Sequence, residues 1–138
     1  DGLLADASWA PRSEPACRAV LAAQALAPAA GLEFAAGLGA ALYGRGLAPD
    51  EPATLRQVAL EADLDPGALL RRWSSDAARA ETQRSFAEAQ ARGVTRYPSL
   101  YVETRRGLTP ICRGWTAPGE LLARVEAEVG APRGRGCA

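Results

Sequence analysis

The sequence has 138 residues, with 16 Lys+Arg balanced by 16 Asp+Glu. That is enough for one domain burying about two-thirds of its unfolded surface without a metal or disulfide staple. It holds no His, Lys, Met or Asn and a single Ile, so every basic residue is Arg. This composition excludes Ser-His-Asp and Cys-His catalysis and lysine Schiff bases, and any zinc site loses its commonest nitrogen ligand. Balanced charge gives no global field to draw in nucleic acid or an anionic membrane.

In chain order, helical patterning dominates as far as Gly93. Ser13-Glu14-Pro15 predicts a helix opening, with Ser13 as the capping hydroxyl and an acid in the first turn. The helix is expected to run to about Ala27, with Cys17, Val20, Leu21 and Ala25 near one face. Pro28 breaks it. The next segment carries Leu32, Phe34, Leu38, Leu42 and Tyr43, and Gly44 and Gly46 can end it. Val20 to Tyr43 is nearly apolar and long enough to span a bilayer. Gln24, Pro28 and Glu33 interrupt it, so a buried helix pair is the expectation, with no membrane span.

Asp50-Glu51-Pro52 starts another helix with Leu55, Val58, Ala59 and Ala62 on its apolar stripe. Asp65-Pro66 starts a short one with Leu69, Leu70 and Trp73. Ser74 or Ser75 caps a longer one, through Ala78, Phe86 and Ala89 to Arg92, and Gly93 is a natural C′ residue. The period then changes. Ser99 to Thr104 reads as a strand, Arg105-Arg106-Gly107 as a turn, and Leu108 to Trp115 as a return strand, with Pro110 favouring an edge. Ala117-Pro118-Gly119-Glu120 opens a last helix with Leu121, Leu122, Val125 and Val129 facing inward. After Gly130 the tail APRGRGCA, residues 131–138, is expected to be disordered.

Cys17, Cys112 and Cys137 are widely spaced, no CxxC occurs, and three thiols cannot all pair internally. Helical spacing with Val20 and Leu21 makes Cys17 a buried, inert thiol, and Cys112 beside Ile111 reads as structural. Cys137, in the tail, is the most reactive by exposure. Arg133 and Arg135 are too few to argue nucleic-acid binding, and Arg71-Arg72 and Arg105-Arg106 mark solvated faces. Trp73 is expected to close the helical core. Tyr97 is the aromatic most readily assigned to a ligand.

The order helix, Gly, loop, Pro, strand, turn, strand, helix after Gly93 resembles the closing half of a thioredoxin fold. With DGLLADAS, SEPACRAVLAA and the helical segment Ser13 to Phe86, it looks like the DsbA-like family of protein thiol-disulfide oxidoreductases and isomerases, over roughly residues 1 to 130. The resemblance implies a mostly α, α/β thioredoxin-like fragment. Residues 1–93 would be a helical insertion of several short helices, and 94–130 the cis-proline loop, hairpin and C-terminal helix. It also implies that Tyr97–Pro98 is cis and that Tyr97 and Pro98 bind substrate, because such a turn leaves main-chain groups free for an extended segment. The implied partners are protein substrates bearing thiols or disulfides, with no cofactor and no metal.

The family's chemistry needs a CxxC at a helix N-terminus, where the first thiol's pKa is lowered. The chain starts at about the insertion, on Asp1 with no initiator Met and no targeting signal, so a processed chain or fragment without that motif is the expectation. No residue of this chain is then catalytic, and the piece is expected to be redox-inactive. Bacterial cytoplasm and periplasm both stay open. Two alternatives stand beside this reading. One is a glutathione-binding relative of kappa-class transferases and 2-hydroxychromene-2-carboxylate isomerases, although LTPICRGW departs from their aromatic-glycine-acidic ending. The other is a non-enzymatic helical interaction module. Self-association as a homodimer along the exposed hairpin edge is also expected.

Overall fold

The computed structural model describes residues 12–105 and 107–130. The expectations for DGLLADAS, Arg106, Cys137, Arg133, Arg135 and the 131–138 tail lie outside those residues. The described chain is mostly helical with one two-stranded antiparallel sheet. By its internal contacts it divides between Ala87 and Glu88 into two compact units.

The first unit is built from helices. α1 spans Ser13–Leu26, and its cap position is Arg12, in extended conformation and without a side-chain hydrogen bond. This corrects the expected Ser13 cap. Pro15 falls at the third helical position, still among the first four residues whose N–H has no intrahelical partner, so the ring costs no hydrogen bond there. The inward face is also corrected. Arg18, Ala19, Ala22 and Ala23 are buried, whereas Ala25 is exposed and Cys17, Val20 and Leu21 are half-buried. The physical reason is size. Small alanines let neighbouring helices approach α1 closely, and the bulk of the core comes from the other helices.

α2 spans Ala30–Gly39 and passes into a π-helical turn, Ala40–Gly44. Phe34, Leu38 and Ala41 point into the core, but Leu32 is 83% exposed, against expectation. A Cβ on Gly37 would lie 2.8 Å from Val58 Cγ1, so α2 and α3 (Pro52–Glu61) meet closely at this glycine. Thr54, Leu55, Val58 and Ala59 fill the inner face of α3, and with Phe34 and Leu69 they centre the core. α4 spans Pro66–Trp73 and has the one side-chain cap of these first helices: Asp65 Oδ1 accepts from the N–H groups of Gly67 at 2.7 Å and Ala68 at 3.2 Å. α5 spans Asp76–Ala91. Ser75 Oγ accepts from Ala78 N–H at 3.2 Å, and buried Thr82 donates its hydroxyl to the Ala78 carbonyl at 2.8 Å.

Trp73 packs against this core, and its Nε1–H donates to the Pro15 carbonyl at 2.9 Å. The Arg18 guanidinium lies over the Trp73 ring, 5.0 Å from its centroid, and is only 3% exposed.

Acid should loosen this unit. Hydrogen bonds from Ala68 and Gly67 hold the Asp65 carboxyl below the usual range. Arg45, then Gln57, do the same for Glu61, with Arg45 Nη1 2.7 Å from Glu61 Oε1. A depressed folded pKa contributes stability that is present above the unfolded value and lost as pH falls through the folded one. Asp65→Ala is expected to melt below the native chain at pH 7. That gap should close on acidification through and below the ordinary carboxylate range, followed by circular dichroism.

The second unit holds the hairpin and the last helix. β1 (Ser99–Thr104) pairs antiparallel with β2 (Gly107–Arg113), and the register slips between Leu100 and Tyr101. Leu100 faces Cys112 and Tyr101 faces Pro110, so Ile111 is the extra residue of a bulge. Its freed carbonyl accepts from Arg124 Nη1 at 3.0 Å, and Thr109 Oγ1 is 3.1 Å from Glu128 Oε1. These two links tie α6 (Pro118–Gly130) to β2. β2 ends at Arg113, before the expected Trp115, because Gly114 turns the chain at φ +106 and leaves Trp115 83% exposed. The inward face expected of α6 is partly wrong too. Leu121 and Val125 are half-buried, but Leu122 and Val129 are 63% and 68% exposed.

Arg124→Met keeps the stem and removes the bond to the Ile111 carbonyl. A loss of about 1 kcal/mol is expected, read as faster amide exchange in β2 with the helical unit unaffected.

Candidate functional site

The site builds from the end of α5. Gly93, at φ +78, takes the left-handed conformation that stops the helix. Its N–H donates to the Gln90 carbonyl at 2.9 Å, and Val94 N–H donates to Ala89 at 3.0 Å, a Schellman closure that releases the chain toward β1. The Arg96 carbonyl accepts from Ser99 Oγ at 2.6 Å. The Tyr97–Pro98 bond is cis, and the Pro98 carbonyl accepts from Gly114 N–H at 2.7 Å. Gly114 can deliver that N–H because its positive φ is open to glycine and costly for other residues.

Between these two spent carbonyls, the main-chain N–H and C=O of Tyr97 make no hydrogen bond among the described residues. The Tyr97 side chain is 73% exposed. Tyr97 and Pro98 therefore sit together at the head of β1, as an aromatic ring beside an unspent peptide group. Tyr101, in the strand itself, is half-buried. The Pro98-to-Gly114 link was not legible from sequence. Its one signal was a glycine just past the return strand.

The cysteines do not form part of this arrangement. Cys17 and Cys112 are both free. Burial first, and the Glu14 carboxylate second, push the Cys17 thiol up, so it stays protonated and weakly nucleophilic. Cys112 is 8% exposed within β2. Among the described residues no group of three or more Cys, Asp or Glu is placed to hold a metal ion, and no helix is long and apolar enough to cross a membrane. A shallow groove between α2 and α3, lined by Glu33, Ala36, Gly37, Ala40 and Glu61 among others, presents no nucleophile, and its Glu61 carboxylate is already engaged by Arg45 and Gln57.

A family model, the DSBA-like thioredoxin domain, matches residues 4–117. The chain is also similar to the crystal structure of a putative protein disulfide isomerase from Nitrosomonas europaea, with a TM-score of 0.80 at 22% identity. That match covers 88% of this chain and 60% of the other, so the chain spans about three-fifths of the length of the structure it resembles. At that identity the likeness shows a shared fold. No curated protein matches the sequence.

Proposed function

The chain belongs to the DSBA-like thioredoxin domain family, and from that premise we propose that it is the substrate-presenting part of a protein thiol-disulfide oxidoreductase or isomerase. It comprises the helical insertion, residues 1–93, and the hairpin-and-helix part, residues 94–130. Its partners are proteins bearing thiols or disulfides. The observation that carries this reading is the open peptide group of Tyr97 between the spent carbonyls of Arg96 and Pro98. An extended substrate segment pairs with such a group as it would with a strand edge, and the exposed Tyr97 ring covers one of its side chains.

Thiol-disulfide exchange needs an attacking thiolate and a second thiol to resolve the mixed disulfide. This sequence has no CxxC, and its two described thiols are buried or half-buried. These 138 residues on their own therefore bind without turning over.

Two measurements on the same protein test this. In an insulin-reduction assay the chain is expected to be inactive, and turnover comparable to a CxxC-bearing enzyme would sink the proposal. In a titration with S-carboxymethylated insulin B chain, the amide signals of Tyr97 and Ser99 are expected to move together, and Tyr97→Ala should weaken the binding several-fold. Signals that stay still throughout remove the substrate-binding role of Tyr97 and Pro98.

A further inference from the structure

Among the described residues, the buried side-chain donors without a partner are Arg18 Nε, Arg18 Nη1 and Arg72 Nε. Two of the three belong to one guanidinium, whose side chain is only 4% exposed. An arginine hidden this thoroughly is ordinarily paired, because a buried charged donor left open carries its full desolvation cost. Glu14 forms an ion pair with Arg18, Oε1 3.4 Å from Nε, but outside hydrogen-bond geometry, so the charge is paired while the donors stay open. Even a small shift of Glu14 serves only the Nε edge. Nη1 lies on the other side of the planar fork, and one carboxylate cannot bridge Nε and Nη1. A second acceptor is needed.

The surroundings favour an anion in that place. Arg79 is close enough to Arg18 to act on it as a like charge. Asp76 lies 3.9 Å from Arg79 and is fully exposed, so it screens Arg79 only weakly. The Trp73 ring covers one face of the guanidinium, which leaves the edges for hydrogen bonding. Arg18 thus combines an unspent buried Nη1 donor with a like-charged neighbour, and Glu14 stands on the Nε side.

We infer that the Nη1 edge of Arg18, on α1 beside the Trp73 ring, is a binding site for one small oxyanion, a carboxylate or a phosphate. The ion accepts from the guanidinium end, and Arg79 adds attraction. Nη1 is closed to solvent, so the ion enters as the first turn of α1 opens, a low-cost local motion at a helix end. Glu14 does not block the site but lowers its positive potential. The site is independent of the Tyr97 peptide group and of the function proposed for it.

The experiment is thermal unfolding of the full chain in sodium phosphate and in sodium acetate, each against sodium chloride at matched ionic strength. A rise in Tm of a few degrees that saturates is expected in at least one oxyanion. Phosphate alone giving the rise marks a phosphate site, and acetate alone a carboxylate site. General exclusion of phosphate from protein surfaces also stabilises, but without saturation. Arg18→Met should abolish the saturable rise, and Glu14→Gln should lower the half-saturating concentration several-fold. In case Arg18→Met does not fold, the Arg18 Nε–H resonance of the native protein, titrated with the same two anions, gives a second reading and should shift saturably. Equal melting in the three salts, an unmoved Nε–H signal, or an undiminished rise in Arg18→Met would each overturn the assignment.

Discussion

Phe34→Ala is expected to cost the helical unit about 3–5 kcal/mol, a large share of the roughly 5–15 kcal/mol that holds a typical domain folded. Phe34 is fully buried and is the largest side chain in the core. Its neighbours cannot close over the gap, because α1 brings Ala19, Ala22 and Ala23 to the same cluster. A core walled by alanines has little side-chain volume to move into a hole. Chemical denaturation should show a lower midpoint with an unchanged slope. Phe34→Leu, which keeps most of the apolar volume, should fall much less. Equal losses for the two variants would show that the core repacks freely and would contradict this account.

Trp73→Ala is expected to cost about 3 kcal/mol, the lower end for a large aromatic since the ring is only partly buried. The loss has two sources that can be separated. Trp73→Phe keeps an aromatic surface under Arg18 and removes the bond from Nε1–H to the Pro15 carbonyl, worth about 1 kcal/mol, together with the packing of the indole's second ring. The rest belongs to packing and to the stack with a buried guanidinium, which keeps its charge but loses its cover. Denaturation midpoints of the two variants measure the split. A Phe substitution as damaging as Ala would place the effect in the hydrogen bond and the indole's second ring, and none of it in the stack with Arg18.

Element boundaries were legible wherever proline or glycine punctuates the chain. Pro28, Pro52, Pro66 and Gly93 mark changes whose causes are local, since a fixed φ or a free one acts within a residue or two. The inward faces were less legible, and α1 shows why. In a helix rich in alanine the hydrophobic contrast between faces is small, so tertiary packing decides which alanines go inside. The reading that put Cys17, Val20, Leu21 and Ala25 on one face followed the larger residues, and the fold buried the smaller ones. α6 failed at Leu122 and Val129 in the same direction, because apolar residues surround more of the helix than the hairpin covers.

For the candidate site, Tyr97 and Pro98 stood out because a proline before an apolar strand needs a reason. The hydrogen bond that takes up the Pro98 carbonyl beside Tyr97 comes from Gly114, sixteen positions after Pro98, and no local pattern carries a link of that range. Arg18 was passed over for a different reason. An arginine in an amphipathic helix ordinarily marks the wet side, and only the folded chain reveals one turned inward.

The bulge in β2 also sets how far this sheet can be extended. Pro110 has no N–H to offer a further strand, and the Ile111 carbonyl is already taken by Arg124. At these two positions β2 therefore offers an added strand fewer main-chain partners than a plain edge would. A sheet that accepted a neighbour on one side only would have a valency of one: two copies pairing through it would each use up the other's opening, and the assembly would terminate at two. Arg124 thus ties α6 to β2 and withdraws one carbonyl from strand addition, which works against the open-ended stacking that strand edges otherwise invite.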